Sequence, residues 1–277
     1  MQLDAASELE PVHVKLFLES LFLRYGYDFR EYAYPSIRRR ILRLVALEQV
    51  SSIPELQSRV LNDPACLERV LHALTIHVSA MYRDPEFFRQ LRSTVVPMLR
   101  TYPFVRIWVA GCASGEEVYS LAIMLHEENL YQRCRVYGTD ISESVVQRAK
   151  LGIFPLAAMR DYTANYIQAG GKEDFSNYYT ADAEGAVFRP WLRDNVVFAQ
   201  HNLVTDGSPN EFNLVFCRNV MIYFTSELQA RVHRLLYSSL VRLGVFALGR
   251  RESLRFTPHE SDYEPIDGQQ RLFKKVG

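Results

Sequence analysis

The sequence predicts an α/β protein, with a helical N-terminal region followed by a mostly parallel sheet wrapped by helices. Three observations carry that prediction. Over roughly the first 80 residues the apolar side chains recur at helical spacing. From Val105 onward, short apolar runs alternate with amphipathic segments, the pattern of βαβ units. The first of these units, VRIWVAGCASGEEVYSLAIMLHEE, reads strand, glycine turn, helix.

Taken in order, VHVKLFLESLFLRYGYDF places Val14, Phe17, Leu18, Leu21 and Phe22 at helical spacing, and Gly26 ends the run. YPSIRRRILRLVALEQV puts Ile37, Ile41, Leu44 and Val45 on one face and Arg38, Arg39, Arg40 and Arg43 on the rest. Two further helices are expected in SIPELQSRVL and DPACLERVLHALT, opened by Ser52 and Asp63 ahead of prolines. Asp84-Pro85 starts another, with Phe87, Phe88 and Leu91 as its buried side.

VRIWVAG and CRVYGTDI are read as strands, followed by helices EVYSLAIMLHEE and ESVVQRAKLG. VVFAQHNL, FNLVFCRNV and GVFALGR are further strands, TSELQARVHRLLYSSL is a helix, and the tail QQRLFKKV is expected as an edge strand. The expected organisation is a helical domain over 1–85, a linker to about 104, and an α/β domain over 105–277. The stretch 170–195, rich in aromatics, Gly and Asp, fits neither period and is read as an inserted antiparallel subdomain.

Composition narrows the functional classes. The 277 residues carry 32 Lys+Arg against 32 Asp+Glu, so no global field draws the chain to nucleic acid or membrane. Four scattered cysteines, Cys66, Cys112, Cys134 and Cys217, form no metal-ligand spacing, so no metal site is expected and a reducing, cytoplasmic setting is. The acidic N-terminus is unlike a signal peptide, and no run of about 18 apolar residues suggests membrane insertion.

The glycine turn points to a ligand. Gly111 and Gly115 frame G-C-A-S-G, which fails the GxGxxG spacing of dinucleotide folds. Glu116-Glu117 stands where a P-loop has its GK[ST]. Carboxylates in the first helical turn satisfy the helix dipole and repel a pyrophosphate. A cationic ligand without phosphate suits such a turn, and S-adenosylmethionine is one. One acidic residue near the turn can take its ammonium, and Asp140, ending the next strand, can take its ribose hydroxyls. On its own, the glutamate pair also reads simply as dipole-satisfying residues.

With FNLVFCRNVMIYF in view as well, the chain resembles the CheR-type chemotaxis-receptor glutamate O-methyltransferases. TIHVSAMYRDPEFF, WVAGCASGEEVYSLAI, YGTDIS, QHNL and FCRNVMIYF occur in that family's order. The resemblance implies an all-helical N-terminal domain joined to a Rossmann-like S-adenosylmethionine-dependent methyltransferase domain with a small inserted β-subdomain. It implies methyl transfer to glutamate side chains of receptor proteins, with S-adenosylhomocysteine as product. Carried across by motif, it implies cofactor contacts from His77, Ser79, Arg83, Glu117, Asp140, Asn202, Leu203, Arg218 and Asn219, with Tyr223 near the transferred methyl. The chain departs from the family where it has His77 and Ser79 for Asn and Thr, MYRD for FFRD, and Gly249-Arg250-Arg251-Glu252 for Gly-His-Ser-Glu.

A glutamate side chain has an ordinary pKa of about 4.3, so the acceptor is already a nucleophile at neutral pH and needs no general base. Catalysis then rests on in-line positioning. Arg83 is read as orienting the acceptor carboxylate, against pairing with Asp84 or Glu86 or serving the cofactor alone. Tyr223 is read as placing methyl and sulfur, against a core aromatic, and Asn219 as a cofactor contact, against a turn residue. Cys217 reads as an inert core thiol rather than an RNA-methylating nucleophile, and C-R-N-V replaces the proline motif of DNA amino-methyltransferases, so no nucleic-acid substrate is expected.

Arg38, Arg39, Arg40 and Arg43 read either as a solvated face or as a dock for glutamate-rich helices of receptor cytoplasmic domains. Two other readings stay open: a methyltransferase acting on a non-receptor signalling protein or a small acid, and a low-turnover S-adenosylmethionine-binding module. Nothing in the sequence indicates an oligomeric state.

Overall fold

The structure, a computed structural model, describes residues 2–75, 79–183 and 185–277. It divides into two compact units, the first made of the N-terminal helices together with Tyr223–Arg231, the second of the remaining described residues.

The first unit holds α1 (Gln2–Tyr25), α2 (Tyr34–Leu47), α3 (Ile53–Asn62) and α4 (Pro64–Leu74). Proline sits in the first turn of α2, α3 and α4, where a missing N–H costs nothing. The Ser52 and Asp63 side chains cap α3 and α4 by accepting the N–H groups of Glu55 and Ala65. The core is Val14, Phe17, Leu18 and Leu21 against Ile37, Ile41 and Leu44, closed by Leu56, Val60, Val70 and Leu74. Val45, expected on the buried face, is only half-buried. Residues 223–225 join this unit by backbone pairing: Ala33 N–H donates to the Tyr223 carbonyl at 2.8 Å and Thr225 N–H to the Glu31 carbonyl at 2.9 Å.

The second unit is built on a seven-stranded sheet. Its strands are β1 (Val105–Ala110), β2 (Cys134–Asp140), β6 (Val196–Gln200), β7 (Phe212–Cys217), β8 (Leu240–Leu248), β9 (Tyr263–Asp267) and β10 (Leu272–Lys275). The order is β6-β2-β1-β7-β8-β10-β9, parallel from β6 to β8, with β10 antiparallel to both its neighbours. The tail strand β10 is therefore interior, not an edge. The edge is β9, whose Pro265 and carboxylates hid it from a periodicity reading.

The helices α7 (Glu116–Glu127) and α8 (Glu143–Leu151) follow the expected segments, as does α10 (Ser226–Ser239), whose residues up to Arg231 count with the first unit, whereas α9 (Met159–Gln168) was not anticipated. The helix expected from Asp84-Pro85 is present as α5 (Pro85–Gln90), and it continues through much of the expected linker as a π-helical turn at Leu91–Val95 and α6 (Val96–Leu99). Phe87, Phe88, Leu91, Val95, Val96 and Leu99 share one core with Val105, Ile107 and Val109 of β1, so burial of apolar area fixes this segment. The π turn lies just ahead of Pro97, which cannot donate to a preceding carbonyl, and Val96 N–H reaches back to Leu91.

A second, three-stranded antiparallel sheet has the order β3-β5-β4, from β3 (Ile153–Phe154), β4 (Tyr179–Ala181) and β5 (Ala186–Phe188). The insertion expected over 170–195 thus takes a strand from 153–154 as well. It is anchored at the C-terminal end of α7, where the Glu127 carboxylate accepts from Tyr178 Oη at 3.0 Å and Lys172 N at 3.1 Å and pairs with Arg92.

Candidate active site

The parallel strands place their carboxyl ends on one side of the sheet. The strand order reverses about β1, with β2 on one flank and β7 on the other. Ligands of open α/β sheets bind in the crevice at such a switch point. Residues 111–117, Asp140 and residues 218–219 leave the ends of β1, β2 and β7 there, and residues 79–84 reach α7 through Tyr82 N–H donating to Ser120 Oγ at 2.9 Å.

The two opening glutamates are put to different uses. Glu116 is buried and accepts from Ser114 Oγ at 2.8 and 2.9 Å, and from the hydroxyls of Ser79 and Tyr162. Burial raises its pKa, with the hydrogen bonds opposing. Glu117 forms an ion pair with Arg218. That guanidinium also donates to Asp84 Oδ2 at 2.9 Å and to the Arg83 carbonyl at 3.3 Å. Its centre lies 3.8 Å from the Phe87 ring centroid. Arg218 thus ties the helix start, the end of β7 and the segment before α5 into one charged knot. Its Nε is buried without a hydrogen-bond partner.

Asp140 ends β2 almost wholly buried. Its Oδ2 accepts Ala113 N–H at 3.0 Å and its Oδ1 accepts Ser142 N–H at 3.1 Å, so the carboxylate grips the glycine turn and the start of α8. Burial pushes its pKa up, opposed by those backbone donors.

Asn219 follows β7 in the left-handed conformation, φ 62°. It is held there by a residue that sequence reasoning missed. The buried Glu252 carboxylate accepts the N–H groups of Asn219 (2.8 Å), Val220 (2.9 Å), Met221 (2.8 Å) and Gly249 (2.7 Å). Burial raises its pKa against these four donors. A Cβ at Gly249 would lie 2.7 Å from Glu252 Oε2 and 2.9 Å from Asn219 N, so only glycine fits. Gly111, at φ 73°, is likewise obligatory, because a Cβ there would meet Val220 Cγ2 at 2.5 Å. The only signal for Glu252 was its place in the Gly249–Glu252 motif. The motif's departures fall on Arg250 and Arg251, both exposed, while its structural ends are kept.

Four of the nine non-glycine residues with positive φ among the described residues lie in these segments: Tyr82, Asp84, Ala113 and Asn219. Such backbone strain persists where surrounding contacts over-determine it, and it clusters at functional sites.

The other expected site residues are placed as follows. Ser79 faces Glu116, as above, and Arg83 is half-buried beside Asp84. Asn202 and Leu203 follow β6, and Asn202 Oδ1 accepts Val204 N–H at 3.0 Å while its own N–H donates to Asp206 Oδ2 at 2.8 Å. Tyr223 counts with the first unit, its ring 5.0 Å from the Arg40 guanidinium. His77 lies outside the described residues. Of the four α2 arginines, Arg38 pairs with Glu10 and Arg40 donates to the Leu74 carbonyl, leaving Arg39 and Arg43 as exposed cations with no ion pair among the described residues.

Cys112 and Cys217 are wholly buried and burial pushes their thiols well up, so neither supplies a thiolate. Among the described residues no cluster of His, Cys, Asp or Glu could hold a metal, and no helix is long and apolar enough to cross a membrane.

The pattern described as "CheR methyltransferase, SAM binding domain" matches residues 77–271, and "CheR methyltransferase, all-alpha domain" matches residues 13–75. The chain belongs to the CheR methyltransferase family. Among its relatives is "Putative methyltransferase Cher3" of Pseudomonas putida, 46% identical over 264 residues, 95% of this chain and 97% of that one. "Chemotaxis protein methyltransferase 1" of Pseudomonas aeruginosa is 30% identical, covering 80% of this chain and 83% of that protein. "Chemotaxis protein methyltransferase" of Listeria innocua is 28% identical, covering 83% and 85%.

The cofactor of a CheR methyltransferase is S-adenosylmethionine, and the crevice fits it. Buried carboxylates at the ends of β1 and β2 oppose a phosphate and suit a cationic, hydroxyl-bearing ligand. The unpartnered Arg218 Nε offers a donor that an anionic group such as the cofactor's carboxylate would satisfy.

Proposed function

We propose that this CheR methyltransferase esterifies glutamate side-chain carboxylates of chemoreceptor proteins, leaving S-adenosylhomocysteine. The observation that carries the reading is the knot of Glu117, Arg218 and Asp84 beside Arg83, with buried, protonated thiols as its neighbours. Such a site supplies charge and positioning, with its own Asp84 and Glu117 carboxylates tied up in ion pairs with Arg218, and the acceptor brings the nucleophile. A glutamate, with its ordinary pKa of about 4.3, arrives ionised.

Bound S-adenosylmethionine supplies an electrophilic methyl on a sulfonium. Asp140 would take its ribose hydroxyls, Glu117 its ammonium and Asn219 its methionine end, with His77, Ser79, Arg83, Asn202, Leu203 and Arg218 as further contacts. Arg83 orients the incoming carboxylate, and too strong a grip would stabilise the ground state and slow transfer. Tyr223 helps place methyl and sulfur. Arg39 and Arg43, the exposed pair on α2, meet the glutamate-rich helices of the receptor.

The test is transfer of tritiated methyl from S-adenosylmethionine to a chemoreceptor cytoplasmic fragment, followed by mild alkali. Release of the label as methanol is expected from an ester. Label that survives alkali, or no transfer while the cofactor binds, contradicts the proposal. Arg83→Ala should stay folded and bind cofactor yet lose transfer.

A further inference from the structure

We propose that Arg250, with Arg251 beside it, reads negative charge next to the carboxylate being methylated, so that this chain prefers acceptor segments with a second acidic residue beside the target. The inference deepens the carboxylate-acceptor reading and rests on it.

Residues 249–252 form a turn closed at both ends. Glu252 N–H donates to the Gly249 carbonyl at 2.9 Å, and the Glu252 carboxylate accepts Gly249 N–H at 2.7 Å. The turn has no slack against the end of β7, because Gly249 packs on Asn219 with no room for a Cβ and Glu252 holds the N–H groups of residues 219–221. Arg250 and Arg251 are its two central residues, and both are exposed. They are carried on a rigid mount beside the Arg218–Asn219 segment.

Arg250 leans over the charged knot, its Nε 3.6 Å from Asp84 Oδ1. That is too far for a hydrogen bond, and Asp84 already has Arg218 on its other oxygen at 2.9 Å. The Arg250 side chain is 55% exposed. An exposed, loose ion pair contributes little, so Arg250 can exchange it for an incoming carboxylate at small cost. Glu117 and Asp84 are balanced by Arg218 and Arg250, which leaves Arg251 as an exposed guanidinium with no ion pair among the described residues. A neutral acceptor surface gives this pair nothing. A carboxylate next to the target gives it a charge-assisted partner, and a guanidinium can take one bidentately.

The experiment compares two forms of one chemoreceptor cytoplasmic fragment, with Glu or with Gln beside each methylated glutamate, using alkali-labile methyl as readout. The wild-type enzyme should show several-fold higher kcat/KM on the acidic form. Arg250→Ala combined with Arg251→Ala should bring the ratio close to one, with S-adenosylmethionine affinity by calorimetry unchanged, and lysine at both positions should restore part of the preference. An unchanged ratio in the double variant overturns this inference alone. Equal losses on both fragments together with weakened cofactor binding also overturn it, because they mark a structural role. Absence of ester on either fragment with the wild-type enzyme overturns the parent reading and this one with it.

Discussion

Glu252 accepts the backbone N–H of Asn219 at 2.8 Å, across 33 residues of sequence, and the same carboxylate holds the next two N–H groups and that of Gly249. One buried side chain therefore sets the turn that follows Arg218 at the carboxyl end of β7.

Replacing that carboxylate with an amide keeps the shape but turns two N–H donors toward backbone donors. Glu252→Gln should destabilise the protein by about 2–3 kcal/mol, the cost of unmaking hydrogen bonds to a charged acceptor in a buried site. Urea unfolding measures this, and calorimetry should show weaker S-adenosylmethionine binding. A variant with wild-type stability and affinity would remove Glu252 from its organising role.

Asp140 and Glu143 lie three residues apart, the first buried at the strand end and the second exposed on α8. Asp140→Ala should weaken S-adenosylmethionine binding about ten-fold or more, equivalent to about 1.4 kcal/mol or above. Glu143→Ala should leave it close to wild type. Calorimetry giving the reverse order would overturn the ribose assignment.

Tyr82 is completely buried and its hydroxyl has no hydrogen-bond partner. Its ring meets Phe88 and Tyr166 edge-on at 4.9 and 5.3 Å. Tyr82→Phe keeps those contacts and removes an unsatisfied polar group, so it should stabilise the fold by about 1 kcal/mol. A lowered thermal midpoint would show that the hydroxyl has a partner in solution.

Glu48 in the helical unit accepts from Arg69 at 2.6 and 2.8 Å, and this hydrogen-bonded pair holds its carboxyl below the usual glutamate range. A depressed folded-state pKa means that the unfolded chain binds more protons as the pH falls. The contribution is therefore present above about pH 4.3 and is lost as pH drops through the lowered value. The urea midpoint of wild type should fall over that window, and Glu48→Gln should flatten this part of the fall. An equally steep fall in the variant would assign it to other carboxylates.

Reversing Arg39 and Arg43 to glutamate should raise KM for the receptor fragment several-fold at low salt and leave cofactor affinity alone, since exposed charges steer encounter and are screened by salt. A KM that does not move, at low or high salt, would retire α2 as a docking face.

Much of this was legible in the sequence because its signals are local. Ser52 and Asp63 ahead of proline announce helix starts, and the apolar runs at Val105, Cys134 and Phe212 announce parallel strands. Asp140 was visible because a strand end is a position that periodicity can locate. What escaped is non-local. Glu252 acts on backbone groups of a distant turn, and the ion pairs of Arg218 reach Glu117 and Asp84, 101 and 134 residues away in sequence. The helix start at Asp84-Pro85 is legible, but its continuation through 91–99 is not, because Pro97 interrupts the pattern and the π turn that accommodates it has no sequence mark. The basic face of α2 looked uniform because spacing does not show that Arg40 turns inward to the Leu74 carbonyl.

The central claim is that a methyl passes from a sulfonium to a carboxylate through positioning alone, with no protein base. Single-turnover methyl transfer to a receptor fragment, followed between about pH 6 and about pH 8.5, tests it most directly. The acceptor, with its ordinary pKa of about 4.3, stays ionised across that range, so the rate should be flat. A rate that climbs through a single titration near neutrality would reveal a general base and contradict the account.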